Sequence, residues 1–173
     1  MPWLQEVEGK TPLERVLRTH PALFERFRDF VSLVWSERLV DPIVLETCRI
    51  RIAQILGCAS ELQLRYRPAL DAGLTEEKIS AIPEYFSSDH FSDHERACIS
   101  LAEQYTMDAH SISDADFARV AAGWSPCEMM AFLCALAIFD GTSRMRLMLN
   151  VDADTGDGLT FVPCPTPDHG PIY

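Results

Sequence analysis

No stretch of this chain alternates polar and apolar residues at every second position over the length of a strand, whereas a three-to-four-residue period runs through most of it. Leu23 to Val40 sets Phe24, Phe27, Val31, Val34 and Trp35 among charges at helical spacing. Asp41-Pro42 then reads as an N-cap followed by proline at the first helical position, opening a helix from about Ile43 to Leu56 that stops at Gly57. A further helix is expected from near Cys58 to just before Asp71, with Pro68 kinking it or loosening one turn. Thr75, followed by Glu76 and Glu77, opens a short helix that ends near Pro83. Ser92-Asp-His-Glu95 and Ser125-Pro-Cys-Glu128 are capping boxes, and Ser113 caps a short helix between them. The first box predicts a helix to about Asp108, and the second predicts the most apolar helix, Met129 to about Asn150. Helices joined by short turns imply an all-α bundle of about six to seven helices.

The 173 residues fit one domain. We place the helical domain at residues 1–150. Residues 151–173, rich in Gly, Pro, Asp and Thr, read as an extended arm, either disordered or packed on a neighbouring subunit, and Phe161, Val162 and Tyr173 favour packing. The formal net charge of -11 would repel a phosphate backbone or an anionic lipid surface, so neither nucleic acid nor membrane is an expected partner. The opening Met1-Pro-Trp-Leu-Gln-Glu-Val-Glu8 lacks the basic flank and apolar run of a signal peptide, and Met129 to Phe139 is too short to span a bilayer. The expectation is a cytoplasmic protein. In a reducing compartment its six cysteines serve mostly as small buried hydrophobes.

Chemistry concentrates between Leu45 and Arg65. In the helix before Gly57, Val44, Cys48, Ile52 and Ile55 form one apolar face, and Ile43, Glu46, Ile50 and Ala53 lie on the other side. A helix apolar on two sides is buried on two sides, which places the Glu46 carboxylate among apolar neighbours. Past Gly57, Cys58, Glu61 and Arg65 fall on one face of a continuous helix. A tight hairpin at Gly57 would put Arg65 about 10 Å down one helix and Glu46 about 16 Å down the other, within reach of a long arginine. Glu46, Cys58, Glu61 and Arg65 are therefore the candidate catalytic set. The bland alternative is an i, i+4 pair of Glu61 and Arg65, with Glu46 neutralising Arg49 or Arg65.

This segment resembles the carboxymuconolactone decarboxylase and alkylhydroperoxidase D-like (AhpD-like) family, in which a glutamate precedes a C-x-x-C-x-x-x-H motif by twelve residues. Glu46 stands twelve residues before Cys58, but Glu61 occupies the second cysteine position and Arg65 the histidine position. Decarboxylases of the family carry a glutamate and a histidine four apart on this helix; Glu61 matches the first, and Arg65 replaces the second. Ala69-Leu-Asp-Ala-Gly-Leu-Thr-Glu-Glu-Lys-Ile79, the Glu95 to Glu103 stretch and Phe139-Asp-Gly-Thr-Ser-Arg144 extend the resemblance over roughly Pro21 to Asn150.

The resemblance implies an AhpD-like helical fold in a homo-oligomer, commonly trimeric or hexameric, acting on a small-molecule substrate. Two kinds of enzyme follow from it. A decarboxylase-like lyase would use acid/base chemistry on a small organic acid or lactone: Arg65 would hold the carboxylate, Glu46 or Glu61 would move the proton, and Cys58 would line the site. A peroxiredoxin-type oxidoreductase would instead use Cys58 as a nucleophile, with Arg65 stabilising the thiolate and Glu46 relaying protons. A non-catalytic ligand-binding or scaffold oligomer is the third class. No glycine-rich phosphate loop or G-x-S-x-G elbow is present, and no cofactor is expected. His90 and His94 are four apart, but the Ser92 box leaves His90 outside the helix and a third ligand is not evident, so no metal is expected either.

Overall fold

The computed structural model describes residues 7–9, 11–151 and 159–164. The first helices are α1, Pro12–Leu17, and α2, Pro21–Ser36. Next comes α3, Pro42–Leu56, entered through the Asp41 carboxylate on the Ile43 N–H and closed by Gly57 in the left-handed region at φ 69°. That conformation costs glycine little and any other residue more.

The single helix expected after Gly57 is instead three pieces: α4, Ala59–Gln63; a strand β1, Leu64–Tyr66; and α5, Arg67–Asp71. Pro68 supplies the reason. In a continuous helix its nitrogen would face the Leu64 carbonyl, and it has no N–H to donate. The chain goes extended at Leu64, and the Leu64 carbonyl accepts from the Arg49 and Arg65 side chains instead. Three-residue strand β2, Thr160–Val162, lies parallel to β1, with Leu64 opposite Thr160 and Tyr66 opposite Val162. The reading of a strand-free chain is thus corrected by one short two-stranded sheet. Val162 of the expected arm is buried in this chain's own core; Tyr173 and the opening residues 1–6 lie outside the described residues.

The remaining helices are α6, Glu76–Ser80; α7, Asp93–Asp108; α8, Asp114–Ala121; and α9, Pro126–Met148. Capping boxes at Ser92, Ser113 and Ser125 start the last three. Among the described residues the bundle holds nine α-helices rather than six or seven, the surplus being short helices such as α4, α5 and α6. Helix α3 is the axis of the fold, packed between α7 on one side and α9 on the other. Val44, Leu45, Cys48, Ile50, Ile52 and Ala53 are all buried, as its two-sided apolar pattern requires. Helix α2 lies against α9, with Trp35 between them stacked on Tyr66 at 4.2 Å and tilted against Phe139 at 5.9 Å. Among the described residues no single helix is long and apolar enough to cross a membrane.

Candidate functional site

Glu46 faces inward from the middle of α3 and is fully buried. One turn on, Arg49 grips it through two bonds of 2.8 Å, Nε to Oε2 and Nη2 to Oε1. The same guanidinium reaches across to α4 and β1. Its Nη1 donates to the Glu61 carbonyl at 2.7 Å and to Glu61 Oε2 at 3.0 Å, and its Nη2 donates to the Leu64 carbonyl at 2.9 Å. Every Arg49 donor is used, as a buried cation requires. Burial works against its charge, yet Glu46 and then Glu61 outweigh that and raise its pKa above the ordinary arginine value.

Glu61 is held by a second cation. Arg146, from the last turns of α9, donates Nε to Glu61 Oε1 at 2.8 Å. The buried network is therefore Glu46, Arg49, Glu61 and Arg146, two charges of each sign. Tyr66 closes one side: its N–H donates to Glu46 Oε1 at 3.2 Å, and its ring lies under the Arg49 guanidinium at 5.2 Å. Burial, then the Glu61 charge, pushes the Tyr66 phenol above its ordinary pKa, so it stays neutral.

A small cavity of about 20 Å³ opens beside this network, lined by Arg49, Glu61, Tyr66, Phe139 and Thr142 among others. That is room for about one water. Two polar groups on α9, Thr142 in the cavity wall and Arg146 on Glu61, are incompletely satisfied. Thr142 Oγ1 and Arg146 Nη2 are buried with no hydrogen-bond partner among the described residues. Arg146 thus binds Glu61 through Nε and holds a spare donor at Nη2, the neighbouring nitrogen of the same guanidinium edge. Such a carboxylate and guanidinium can move a proton and anchor an anion, respectively.

The four residues singled out from sequence do not form one cluster. Glu46 and Glu61 meet through Arg49. Arg65 does not join them: its Nε and Nη2 donate to Glu76 at the start of α6 at 2.9 and 3.2 Å, and its Nη1 donates to the Leu62 and Leu64 carbonyls. The expected Glu46–Arg65 contact and the shared face of Cys58, Glu61 and Arg65 both fail for one reason, the break at β1 that turns Arg65 away. Cys58 is the N-cap of α4 and fully buried, with Sγ 3.8 Å from Ser60 Oγ. Helix α4 has only five residues, too short for its dipole to activate a thiol strongly.

Arg146, Tyr66 and Thr142 were not singled out from the sequence. Arg146 carried a readable signal: it continues the buried stripe of Phe132, Leu136, Phe139 and Ser143 on the most apolar helix, and a lone cation there needs a buried partner. His94 packs edge-on against Trp124 at 4.7 Å, with Nε2 3.6 Å from Cys98 Sγ. Among the described residues no group of three or more His, Cys, Asp or Glu side chains is placed to hold a metal ion.

The family model described as the carboxymuconolactone decarboxylase family matches residues 21–104. YnjA, an uncharacterized protein of Escherichia coli strain K12, is 24% identical over 146 residues, covering 83% of this chain and 78% of its own. Two solved structures share the fold. A protein of unknown function from Agrobacterium tumefaciens, named as a candidate AhpD antioxidant defence protein, superposes with a TM-score of 0.66 at 20% identity, over 78% of this chain and 92% of its own. The debrominase Bmp8, in a cysteine-to-alanine variant in complex with 2,3,4-tribromopyrrole, superposes with a TM-score of 0.67 at 15% identity, over 79% of this chain and 73% of its own.

Proposed function

We propose that this chain, which matches the carboxymuconolactone decarboxylase family over residues 21–104 and has an AhpD-like fold, is a small-molecule enzyme that performs acid/base chemistry on a small organic acid or lactone. Glu61 is the proton-carrying group and Arg146 the anion anchor, the role that the resemblance alone would give to Arg65. Glu46 and Arg49 position Glu61, and Cys58 is a buried neighbour.

One observation carries this reading. Arg146 binds Glu61 through Nε while its Nη2, and the Thr142 hydroxyl one turn away, have no partner among the described residues. A carboxylate oxygen bound at Arg146 Nη2 would satisfy that donor next to Glu61. Decarboxylation and lactone rearrangement both need an anion clamp and a proton delivered to or taken from carbon. The cavity as it stands takes one water, so a substrate enters only as the lining side chains move.

A second reading also has an observation behind it. Arg49 is saturated and the four charges balance, which equally suits a structural core in a non-catalytic oligomer. Peroxide reduction through Cys58 is supported less well. Glu61 stands where the family's second cysteine would be, and Cys58 has no exposed surface.

The test is a screen of small carboxylic acids and lactones in D2O, with carbon-bound deuterium and loss of CO2 followed by NMR. The acid/base reading expects turnover that E61Q lowers by about 10²-fold or more and that C58S leaves within a few-fold of the wild type. No turnover across the panel, with E61Q changing only the melting temperature, supports the scaffold. Peroxide consumption abolished by C58S supports the thiol reading.

A further inference from the structure

Helix α2 meets α9 along a seam that holds buried polar atoms on both sides. On α2, Arg28 Nε, Ser32 Oγ and Trp35 Nε1 are buried with no hydrogen-bond partner among the described residues. They stand at i, i+4 and i+7, on one stripe of the helix. On α9, Thr142 Oγ1 and Arg146 Nη2 are in the same condition, four residues apart. The two stripes face each other. Trp35 touches Phe139, and Val31, one turn back on α2, shares the small cavity with Thr142, nearly a turn further on along α9. The helices therefore run antiparallel, which brings Ser32 about level with Thr142. Ser32 and Trp35 are 0% and 1% exposed, and the Trp35 ring packs on Tyr66 and Phe139, two walls of that cavity.

The chemistry of these atoms is one-sided. The indole and guanidinium nitrogens can only donate, and the two hydroxyls can donate as well. The other unpartnered buried atoms among the described residues, Gln104 Oε1 and Asp140 Oδ1, are acceptors, but they belong to another junction. Gln104 is on α7 itself, and Arg144, bonded to Asp140, reaches the α7 carbonyl of Thr106. A buried donor without an acceptor weakens the closed α2–α9 seam, and an acceptor inserted there relieves it. Around Ser32 and Trp35 stand the rings of Tyr66 and Phe139 and the side chain of Val31. A neutral oxygen suits those surroundings, whereas a second full charge would go uncompensated beside them.

We propose that the acid held at Arg146 carries a second, uncharged acceptor, a carbonyl or ether oxygen, and that Ser32 Oγ and Trp35 Nε1 bind it from the α2 side of the seam. The inference rests on the anion anchor proposed above and adds the portion of the ligand that the anchor does not touch. The acid enters by parting α2 from α9, because donors on both helices gain bonds as it seats. An analogue without the second oxygen leaves Ser32 and Trp35 as unsatisfied as before, so the site discriminates against it.

Calorimetry of the full chain with three acids on one ring tests this: cyclopentanecarboxylate, 3-oxocyclopentanecarboxylate and cyclopentane-1,3-dicarboxylate. The ketone should bind at least about fivefold more tightly than the plain acid, as one to two neutral hydrogen bonds allow. S32A and W35F should each shrink that preference at least about twofold, while R146M weakens both acids. S32A removes a buried hydroxyl that has no partner, so the unliganded chain should melt no lower than the wild type. The inference is overturned, with the anchor left standing, if the plain acid binds through Arg146 and the ketone gains nothing, or if S32A and W35F both leave the preference intact. A lower melting temperature for S32A, or a dicarboxylate bound more tightly than the ketone with Arg28 serving the second charge, overturns it equally. Failure of all three acids to bind, or binding unchanged by R146M, overturns the anchor and this inference with it.

Discussion

At the scale of the residue, Arg49 decides how the site is built. It joins Glu46 on α3 to Glu61 on α4 and collects the carbonyls of Glu61 and Leu64, the second of which Pro68 has no N–H to bond. Removing one partner of a buried ion network leaves uncompensated charge, typically costing about 3–5 kcal/mol. We expect R49M to lose about that much in urea unfolding, because Glu46 is left without a cation while Glu61 keeps Arg146. E76Q breaks the Arg65 pair, in which the Glu76 side chain is 55% exposed, and should cost no more than about 1 kcal/mol. Comparable losses would mean that the two pairs are equally structural. The sequence announced Glu46 and Glu61, because a carboxylate on a two-sided apolar helix and a glutamate one turn past a cysteine are both conspicuous. It offered Arg49 or Arg65 as the partner of Glu46, and Arg49 is the one that binds it. Arg65 was reached by extending one helix through Pro68, while Arg49 and Arg146 are brought to Glu61 only by tertiary contacts 12 and 85 residues apart in sequence.

At the scale of the element, the caps were the most legible part of the chain. Asp41, Ser92, Ser113 and Ser125 all cap where local chemistry placed them, because capping depends on residues within one turn. Ser125 starts the helix that delivers Thr142 and Arg146. S125A should cost ~1 kcal/mol, read as a fall in the urea midpoint with the slope unchanged. G57A, at φ 69°, should cost about 1–2 kcal/mol, the penalty of an L side chain in the left-handed region. Strands β1 and β2 were not legible. Three residues are too few to show a two-residue period, and the pairing joins segments nearly a hundred residues apart.

At the scale of the molecule, one core unites α2, α3, α7 and α9, and its buried thiols and phenols shape the response to alkali. Burial raises Cys98 from 9.0 to about 12, with Glu95 adding to it, and lifts Cys48 well above 9.0. Tyr85 rises from 10.0 to about 12 through burial and its bond to Glu103. Between pH 9 and 12 the folded chain therefore holds protons that the unfolded chain releases. Stability from these groups is complete below pH 9 and falls as pH rises towards 12, by up to about 1.4 kcal/mol per pH unit for each fully buried thiol. Unfolding measured from pH 8 to 11 should show that decline, and C98A should make it shallower; an unchanged slope would show that Cys98 titrates alike in both states. The central claim, however, is that Arg146 anchors an anion beside Glu61. Its most direct test is the binding of small carboxylates to the wild type, C58S and R146M, followed by calorimetry. The account predicts at least one carboxylate that binds wild type and C58S alike and binds R146M at least about tenfold more weakly, the loss of a charge-assisted bond. Binding indifferent to R146M, or no carboxylate bound while peroxide oxidises Cys58, would contradict it.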